Sequence, residues 1–422
     1  MRAISQEGIG IKLKTAQEDE KPVVWDVLCR AFGEGPRERF RRQLWEDSTV
    51  TTDQIRLAEV DGHIVSHVWV ANRPVLYRGQ VVLPMGGIGG VGTLPEYRNQ
   101  GLATLLLNDA IEYMRAKDQP LSMLFTGINF FYARLGWADF PQFRFRIRVE
   151  RAPYFSSDDG PYQVRPCQVP EDLPILQEIY KRHSEGLQVS LAHCRPSSFW
   201  LDGHPRYLGL RPSHIVIHSP SGQGCAYVCA DKTDHGFFIH EFSYDHRHPG
   251  VLTVLSKALL SELAISKEPG LIEGVTPWMH PFPQKIATLA QASLFHEVTE
   301  AMMLRINDLY RCLEIVTPVL EKDLWLSPFK DQDFALTFHL TDQDQVVTIK
   351  CTRGKMELVR GDGGSLFFRI TTRLFCLLFF GVCSGRQWCY LANCQDNEDK
   401  VAPVLSVLFP PHPTVYWSGD HF

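Results

Sequence analysis

The stretch at residues 85–104, MGGIGGVGTLPEYRNQGLAT, has the residue types and spacing that point most clearly to chemistry. Within it, Arg98, Gly101 and Ala103 give an R-x-x-G-x-A run at the predicted start of a helix. The first N–H groups of a helix have no intrahelical partners and lie at the positive end of the helix dipole. A glycine there lets the backbone approach an anion closely. The run therefore predicts a pocket for a pyrophosphate.

The residues after this run predict a helix that continues to about Lys117. Apolar side chains recur on one half of it, at Leu102, Ala103, Leu106, Leu107, Ala110, Ile111 and Met114. This spacing is typical of an amphipathic helix that packs on a core. An ordinary strand, turn and helix without a ligand is the alternative interpretation.

The glycines before the run also spell G-x-G-x-x-G, at Gly87, Gly89 and Gly92. In a dinucleotide site this motif opens a helix directly, whereas residues 93–95 intervene here. No Gly-Lys-Ser/Thr follows the glycines, so a P-loop is not predicted either. Glycines within a strand instead indicate a bulge or a backbone that a ligand approaches closely.

The order of glycine-rich strand, Pro95, loop and helix resembles the acetyl-coenzyme A (acetyl-CoA) site of the GNAT acetyltransferases. In that family a bulged strand carries the pantetheine, and an R/Q-x-x-G-x-G/A loop holds the pyrophosphate. The resemblance implies acetyl-CoA contacts at Val91, Gly92, Thr93, Arg98, Asn99, Gln100, Gly101, Leu102, Ala103, Thr104, Gly127 and Ile128. Asn99 and Gln100 stand where the family usually has arginines, which leaves the contact to the 3′-phosphate open.

The composition limits the class of protein that surrounds this site. A chain of 422 residues suggests two or three domains. The net charge of −5, without a basic run, argues against nucleic acid as a partner. The 11 cysteines are scattered without a C-x-x-C pair, so we expect reduced thiols, no metal site and a cytoplasmic location.

No membrane partner is expected either. The longest apolar run, residues 374–383, is too short to span a bilayer and predicts a buried helix. The N-terminal residues lack the apolar core of a signal peptide.

The first predicted domain, residues 1–152, supplies the elements around the site. Residues 61–62, Asp-Gly, are a strong hairpin signal between two strands. The predicted strands are 11–14, 55–60, 64–70, 81–92 and 121–125, and the predicted helices before the loop are 20–30, with Val23, Val24, Val27 and Leu28 inward, and 37–45.

Tyr132 lies in the segment that follows, GINFFYARLGWADF, residues 127–140. We predict a short helix over residues 130–135 that ends at Gly136. A tyrosine just past the strand that diverges from the glycine-rich one would point at the thioester. The alternative is a core tyrosine whose hydroxyl bonds elsewhere.

Residues 131–137, F-Y-A-R-L-G-W, resemble the I-Y-x-R-F-G-Y signature of the enhanced intracellular survival (Eis) family. The resemblance implies an α/β (α+β) fold of tandem GNAT domains, the second degenerate, followed by a sterol-carrier-like (SCP2-like) domain. The three parts would be residues 1–152, 153–299 and 300–422. It also implies a hexamer that acts on aminoglycosides and other polyamines.

The second predicted domain repeats the pattern of the first, with a strand and helix opening near Tyr162. Arg247 and Gly250 keep the R-x-x-G spacing where a second pyrophosphate loop would fall. Pro249 lacks an N–H, however, and Leu252 fills the position that should be small. We therefore predict a degenerate copy without a cofactor. The nearby histidines are interpreted as surface residues rather than metal ligands: His240, His246 and His248.

The third predicted domain begins with residues 301–315, AMMLRINDLYRCLEI, and continues as strands and an apolar helix. The predicted strands are 334–340, 346–350, 355–359 and 365–370, and the predicted helix is 373–380, between Thr371 and Gly381. Residues 415–417 look strand-like, and the chain ends at Phe422. In the Eis family the terminal carboxylate returns to the first domain's active site, so Phe422 matches that ending. The alternative is a disordered tail.

These parts together predict an N-acetyltransferase that moves an acetyl group from acetyl-CoA directly to a primary amine. A free amine has a pKa near ~10, so a base must take its proton, and the Phe422 carboxylate fits that role. Backbone N–H groups near residues 91–93 would stabilise the oxyanion, and Tyr132 would protonate the leaving thiolate. The resemblance to the Eis family implies the partners: a small-molecule amine, of the polyamine or aminoglycoside class, and copies of this chain. The alternatives are a protein lysine acetyltransferase and a non-catalytic GNAT-fold or lipid-binding protein.

Overall fold

The structure is a computed structural model that describes residues 2–6, 9–151, 153, 155, 160–201, 213–218, 220–264, 270–278, 280–364, 366–393 and 398–422. Across these ranges, thirteen strands form one mixed sheet, and four form a second sheet near the C-terminal end of the chain. None of the described helices is long and apolar enough to cross a membrane.

The first half of the large sheet carries the predicted site. Its elements in chain order are β1 (Arg2–Gln6), β2 (Ile9–Thr15), α1 (Lys21–Phe32), α2 (Arg37–Trp45), β3 (Ile55–Val60), β4 (His63–Asn72), β5 (Val75–Tyr77), β6 (Val81–Leu83), β7 (Met85–Thr93), α3 (Leu102–Ala116), β8 (Leu121–Phe125), α4 (Asn129–Ala133) and β9 (Ala138–Val149). Strands β5 and β6 pair with each other as a separate ribbon. Helices α1 and α3 pack on β4 and β7, the two strands at the centre of the site.

The second half of the sheet repeats this layout. Its elements are β10 (Tyr162–Pro166), α5 (Leu173–Gly186), α6 (Ser197–Leu201), β11 (His214–His218), β12 (Gln223–Thr233), β13 (Gly236–Tyr244), α7 (Val251–Ala264), β14 (Gly270–Val275), α8 (Pro281–Ala290) and β15 (Leu294–Ile306). The full strand order is β1-β2-β3-β4-β7-β8-β15-β9-β14-β13-β12-β11-β10. Each half has one parallel pair, β7 with β8 and β13 with β14, among otherwise antiparallel neighbours. The predicted internal repeat therefore appears in the pairing pattern.

The remaining elements form the second sheet and its helices. They are α9 (Leu309–Trp325), β16 (Phe334–Leu340), β17 (Gln345–Thr352), β18 (Lys355–Arg360), β19 (Leu366–Ile370), α10 (Thr372–Phe379), α11 (Gly385–Leu391) and α12 (Glu398–Leu408). The sheet order is β18-β17-β16-β19. Aromatic rings fill its core. The ring centroids of Phe368, Phe375 and Trp388 lie 5.5, 5.7 and 6.3 Å from the ring centroid of Phe338. The predicted boundary at residue 300 lies inside β15, which pairs between β8 and β9.

Several elements begin and end where the sequence predicts. Helix α2 and strands β3, β8 and β16 have the predicted bounds. The Asp61–Gly62 turn has φ values of +47° and +83°, which is typical of a two-residue hairpin loop. Helix α10 starts at the predicted cap, where the Thr371 hydroxyl accepts from the Leu374 N–H, and Gly381 follows it at a φ of +66°.

Three predictions about local structure were wrong. Val23 is 45% exposed, because the inward face of α1 is set by Val24, Val27 and Leu28 at helical spacing. The predicted strand at 81–92 is divided between β6 and β7, with Pro84 between them, since proline cannot donate to a ladder. Residues 415–417 are irregular, and the adjoining Thr414 makes an isolated bridge to Ser190 instead.

Candidate active site

A cleft of about 630 Å³ lies at the end of β7, between α1, α4 and the start of α3. Strands β7 and β8 are paired only from Met85–Leu121 to Ile88–Leu124, so the two strands diverge beyond that point. The cleft is lined by Ala31, Phe32, Val91, Gly92, Thr93, Tyr97, Arg98, Asn99, Gly101, Leu102, Ala103, Thr104, Ile128, Phe131, Tyr132 and Arg134.

Strand β7 is bulged at the mouth of this cleft, as the glycines predict. Gly92 pairs with His67 on β4, but Gly89 pairs with Trp69, so β7 has one extra residue between these pairs. Gly90 has a φ of +57°, a conformation that favours glycine. The bulge therefore changes the direction of the backbone next to the cleft.

Side chains of β4 hold the bulge in place. The Nδ1 of His67 lies 2.7 Å from the Gly90 carbonyl, and the Ser66 hydroxyl donates to the Gly92 carbonyl at 2.9 Å. A carbonyl can only accept, so the proton of His67 is on Nδ1. Burial lowers the pKa of His67 to about 4, against the opposing effect of this hydrogen bond. His67 is therefore neutral at pH 7 and acts as a fixed donor.

The predicted pyrophosphate loop leads into α3 through two left-handed residues, Asn99 at φ +62° and Gly101 at φ +76°. A Cβ at Gly101 would have open space around it, with no heavy atom within 4 Å. Residues 101–104 all line the cleft, so the first N–H groups of the 15-residue helix α3 lie at its wall. Arg98 donates to the carbonyls of Thr93 and Ala31, at 3.2 and 3.0 Å, and so braces the cleft.

Tyr132 lies on α4 at the cleft and is 8% exposed. Its ring packs edge-on against Phe131 and Trp137, with centroids 5.0 and 6.3 Å away. Burial raises its pKa to about 12. The hydroxyl therefore keeps its proton at neutral pH and can act as an acid.

The C-terminal residue returns to β7, beside the bulge. The Phe422 ring lies so close to Gly87 that a Cβ there would overlap it. A Cβ at Gly89 would lie 3.2 Å from the carboxyl carbon of Phe422 and 3.2 Å from Cε3 of Trp69. The Phe422 ring also packs edge-on against Phe125, at 5.7 Å. The terminal carboxylate is thus one residue away from the bulged Gly90.

Most residues expected to contact acetyl-CoA line the cleft, but Gln100 and Gly127 do not. Gln100 is exposed and lies between two left-handed residues, Asn99 and Gly101. Sequence reasoning missed His67 and Ser66, because their contacts to β7 depend on strand register. It also missed the lining residues Ala31, Phe32, Tyr97, Phe131 and Arg134.

In the corresponding loop of the second half, side chains occupy the region where a pyrophosphate would bind. Its Asp245 carboxylate is fully buried and bonds Arg247 at 2.5 Å and Arg182 at 3.4 Å. A Cβ at Gly250 would lie 3.2 Å from the Tyr162 ring, and Leu252 is buried. This supports the interpretation of a degenerate copy, which stays a prediction.

The three histidines near that loop differ in how exposed they are. His246 is exposed as predicted, whereas His248, which was also predicted on the surface, is half-buried. His240 was predicted on the surface, but it is half-buried and its Nδ1 lies 2.9 Å from the Ser418 hydroxyl in the C-terminal segment. Among the described residues, no group of three or more histidine, cysteine or acidic side chains could hold a metal ion.

Comparison with known proteins agrees with this geometry. Residues 12–139 match the acetyltransferase (GNAT) domain family. The chain contains a GNAT acetyltransferase domain. A curated N-acetyltransferase of Streptomyces avermitilis, itself uncharacterized, is 24% identical over 230 residues, which cover 51% of this chain and 54% of that protein. The chain thus matches about half the length of this relative.

Two solved structures share the fold over nearly the whole chain. A probable N-acyltransferase of Enterococcus faecalis has a TM-score of 0.73 at 18% identity, covering 96% of this chain and 99% of that one. Eis1 of Mycobacterium abscessus has a TM-score of 0.65 at 15% identity, covering 98% and 100%. These two structures show that the fold is shared, and the match to the acetyltransferase (GNAT) domain family supports the predicted enzyme class, a GNAT-type acyltransferase that uses acetyl-CoA.

Proposed function

We propose that this protein is an Eis-like N-acetyltransferase, which transfers the acetyl group of acetyl-CoA directly to a primary amine of a polyamine or an aminoglycoside-like acceptor. One observation carries the proposal: the cleft with the R-x-x-G-x-A loop and Tyr132 lies beside the strand on which the Phe422 carboxylate rests. In acetyl transfer to an amine, a carboxylate can act as the base, a protonated phenol as the acid and a bulged backbone as the oxyanion donor.

Each group has one role in the proposed reaction. The Phe422 carboxylate takes a proton from the ammonium form of the acceptor, directly or through a water, so that a neutral amine attacks the thioester carbonyl. The bulge supplies an N–H to the oxyanion, with Val91 as the donor. Tyr132 gives its proton to the departing thiolate of coenzyme A as the C–S bond breaks, and it is reprotonated with the proton that the acetylated nitrogen loses. The first N–H groups of α3, with the open space at Gly101, fit the pyrophosphate.

A thiol-release assay with acetyl-CoA and a panel of amines tests this function. The panel should contain linear polyamines, an aminoglycoside, a lysine-containing peptide and a buffer control. Acetylation of the polyamines or the aminoglycoside supports the proposal, and mass spectrometry of the product identifies the acetylated amine. Acetylation of the peptide alone would assign the protein lysine class instead.

The third part of the chain is proposed to be SCP2-like by resemblance, with a structural rather than a lipid-carrying role. The rings around Phe338 fill the core between its sheet and its helices. The resemblance also implies a hexamer. Light scattering, which measures the mass of the particle in solution, would test this.

Gly101→Glu is expected to weaken acetyl-CoA binding by at least about tenfold, because a carboxylate would face the diphosphate at the positive end of α3. Gly101 also has a φ of +76°, so the variant's folding must be checked by thermal unfolding. Calorimetry measures the affinity. Arg247→Ala, in the matching loop of the second half, is the control and should leave the affinity unchanged. Two cofactors bound per chain would refute the degenerate copy, and unchanged affinity in a folded Gly101→Glu variant would refute the loop assignment.

His67→Leu is expected to lower kcat by about tenfold to 10²-fold, less than the ~10²–10³-fold loss seen when an oxyanion donor is removed, because the N–H remains and only its orientation is lost. The C=O and N–H of a trans peptide point in opposite directions, so the bond from His67 to Gly90 turns the Val91 N–H away from His67. Without that bond the donor is no longer held. His67→Asn is the matched variant, because its amide N–H can replace Nδ1–H, and it should recover most of the rate. Comparison of kcat among the parent and the two variants tests whether His67 orients the Val91 N–H, and acetyl-CoA affinity is the control. Equal kcat in all three proteins would contradict that role.

A further inference from the structure

The end of the chain is fixed to the second half of the molecule by a fully buried ionic cluster. Arg195 donates to both carboxylate oxygens of Asp420, each at 2.8 Å. The same guanidinium donates to both oxygens of Glu241, at 2.9 and 2.6 Å. The side chains of all three residues are at most 1% exposed. Asp420 is two residues before the C-terminus.

Further groups complete the cluster from several elements. The Nδ1–H of neutral His193 donates to Asp420 at 3.1 Å, and the Tyr227 hydroxyl donates to Glu241. The Arg195 guanidinium also lies over the rings of Tyr180 and Trp200, at 4.2 and 4.9 Å. These groups come from α5, α6, β12 and the loop before α6, all in the second half. Burial alone would raise the pKa of Asp420, but Arg195 and His193 hold it well below its usual range.

The backbone around Asp420 is held as well. The Tyr416 hydroxyl donates to the Asp420 carbonyl at 2.9 Å, and the Val415 N–H donates to the Ser190 carbonyl at 3.1 Å. The Ser418 hydroxyl bonds His240 of β13. Residues 415–420 are therefore attached at several points before the chain crosses to β7.

A buried ionic cluster contributes little net free energy to the stability of a fold. Removing charges from water costs much of what their attraction returns, so a packed apolar core would serve stability at least as well. A bidentate guanidinium adds direction instead, because its fork accepts a carboxylate in one geometry. That property suits a residue that must fix the path of a chain end.

We propose that the second GNAT half is the anchor of the C-terminus: Arg195, with Glu241 behind it, holds Asp420 so that the carboxylate of Phe422 lies at Gly89 on β7. Arg195 and Asp420 are positioning residues, since they act through Phe422. The catalytic meaning of this anchor rests on the proposed function, in which that carboxylate is the base. The anchoring itself does not depend on it.

Digestion by a carboxypeptidase that removes C-terminal aromatic residues tests the anchor without any acetyl transfer. Such an enzyme needs several residues of freed chain, so the full-length parent should release Phe422 slowly, through local opening. Asp420→Ala breaks a buried charge pair and is expected to speed release by at least about tenfold. Asp245→Ala is the matched control, because Asp245 is another buried carboxylate that is paired with arginine, but it lies away from the tail. Mass spectrometry follows the loss of phenylalanine.

Asp420→Ala must remain folded for this comparison, which acetyl-CoA binding and thermal unfolding would report. If it unfolds, Asp420→Asn decides, since it keeps the size of the side chain but leaves only one oxygen to accept from the Arg195 guanidinium. One lost hydrogen bond should speed release by about twofold to tenfold. Release at the parental rate in the folded variant used would overturn the anchor.

The same variants separate this inference from the proposed function. If the anchor positions the base, kcat should fall at least about tenfold in Asp420→Ala while acetyl-CoA affinity stays within the parental range. Fast release of Phe422 with unchanged kcat would support the anchor and refute the carboxylate as base. A parent without acetyltransferase activity would refute the proposed function and leave the release rates as the test of the anchor.

Discussion

Deleting Phe422 is expected to reduce turnover by about 10²-fold or more, because a displacement of even 1 Å at a catalytic group can cost that much. The deletion moves the terminal carboxylate back by roughly 3.5 Å along an extended chain. It also removes the ring that covers Gly87. Neither change touches the R-x-x-G-x-A loop, so acetyl-CoA should still bind. Steady-state kinetics and calorimetry on the same preparation would measure both quantities.

A C-terminal extension should have a similar effect for a different reason. Any added residue converts the Phe422 carboxylate into a neutral amide, which cannot accept the proton, and places bulk beside Gly89. The same tag at the N-terminus is the control and should be harmless to turnover. Phe422→Leu keeps the carboxylate and shortens only the side chain, so it should lose much less activity than the deletion. Full activity in an extended, uncleaved protein would rule out this carboxylate and leave an internal base to be found.

The sequence predicts most of what is local. The loop at residues 98–103 is recognisable because a helix start, a glycine and a small residue must follow one another closely along the chain. Helix α2 and strand β8 have the predicted bounds because their apolar spacing and flanking residues agree. The bulge in β7 is predicted by its glycines, one of which, Gly90, has a positive φ that glycine adopts without strain.

Contacts between distant parts of the chain are not predicted, because no spacing encodes them. His67 and Gly90 are 23 residues apart, and their bond depends on the one-residue shift between β4 and β7. Arg195 and Asp420 are separated by 225 residues. Resemblance alone suggested that Phe422 returns to the site; the sequence by itself favours a frayed tail. Each of these long-range contacts depends on tertiary packing, which the spacing of residues along the chain does not encode.

The single large sheet explains how distant parts can act at one site. Strand β15, from the second half of the chain, pairs between β8 and β9 of the first half. The two halves of the sheet therefore share a continuous backbone ladder, and a residue anchored in one half is held at a defined distance from the other. A flexible linker between independent domains would not keep a chain terminus at Gly89 in this way.

Tyr132→Phe is expected to lower kcat by ~10²–10⁴-fold, the contribution usual for a general acid. The substitution removes one hydroxyl and keeps the ring that packs against Phe131 and Trp137. Acetyl-CoA affinity should therefore change little, and kcat and kcat/KM should fall together. Stability should be nearly unchanged as well, which thermal unfolding would verify.

Two further measurements distinguish a proton donor from a core tyrosine. The pKa of Tyr132 is raised to about 12, so its own deprotonation should reduce the parent's rate only near that pH and leave the neutral range unaffected. An acetyl donor whose leaving thiol is more acidic needs less protonation, so it should recover part of the lost rate in Tyr132→Phe but not in Phe422 deletion. Tyr113→Phe is the matched control, since Tyr113 also has a raised pKa but bonds Asp53 and lies outside the cleft lining. Turnover within about threefold of the parent in Tyr132→Phe would assign this tyrosine to the core, because a general acid contributes ~10²-fold or more.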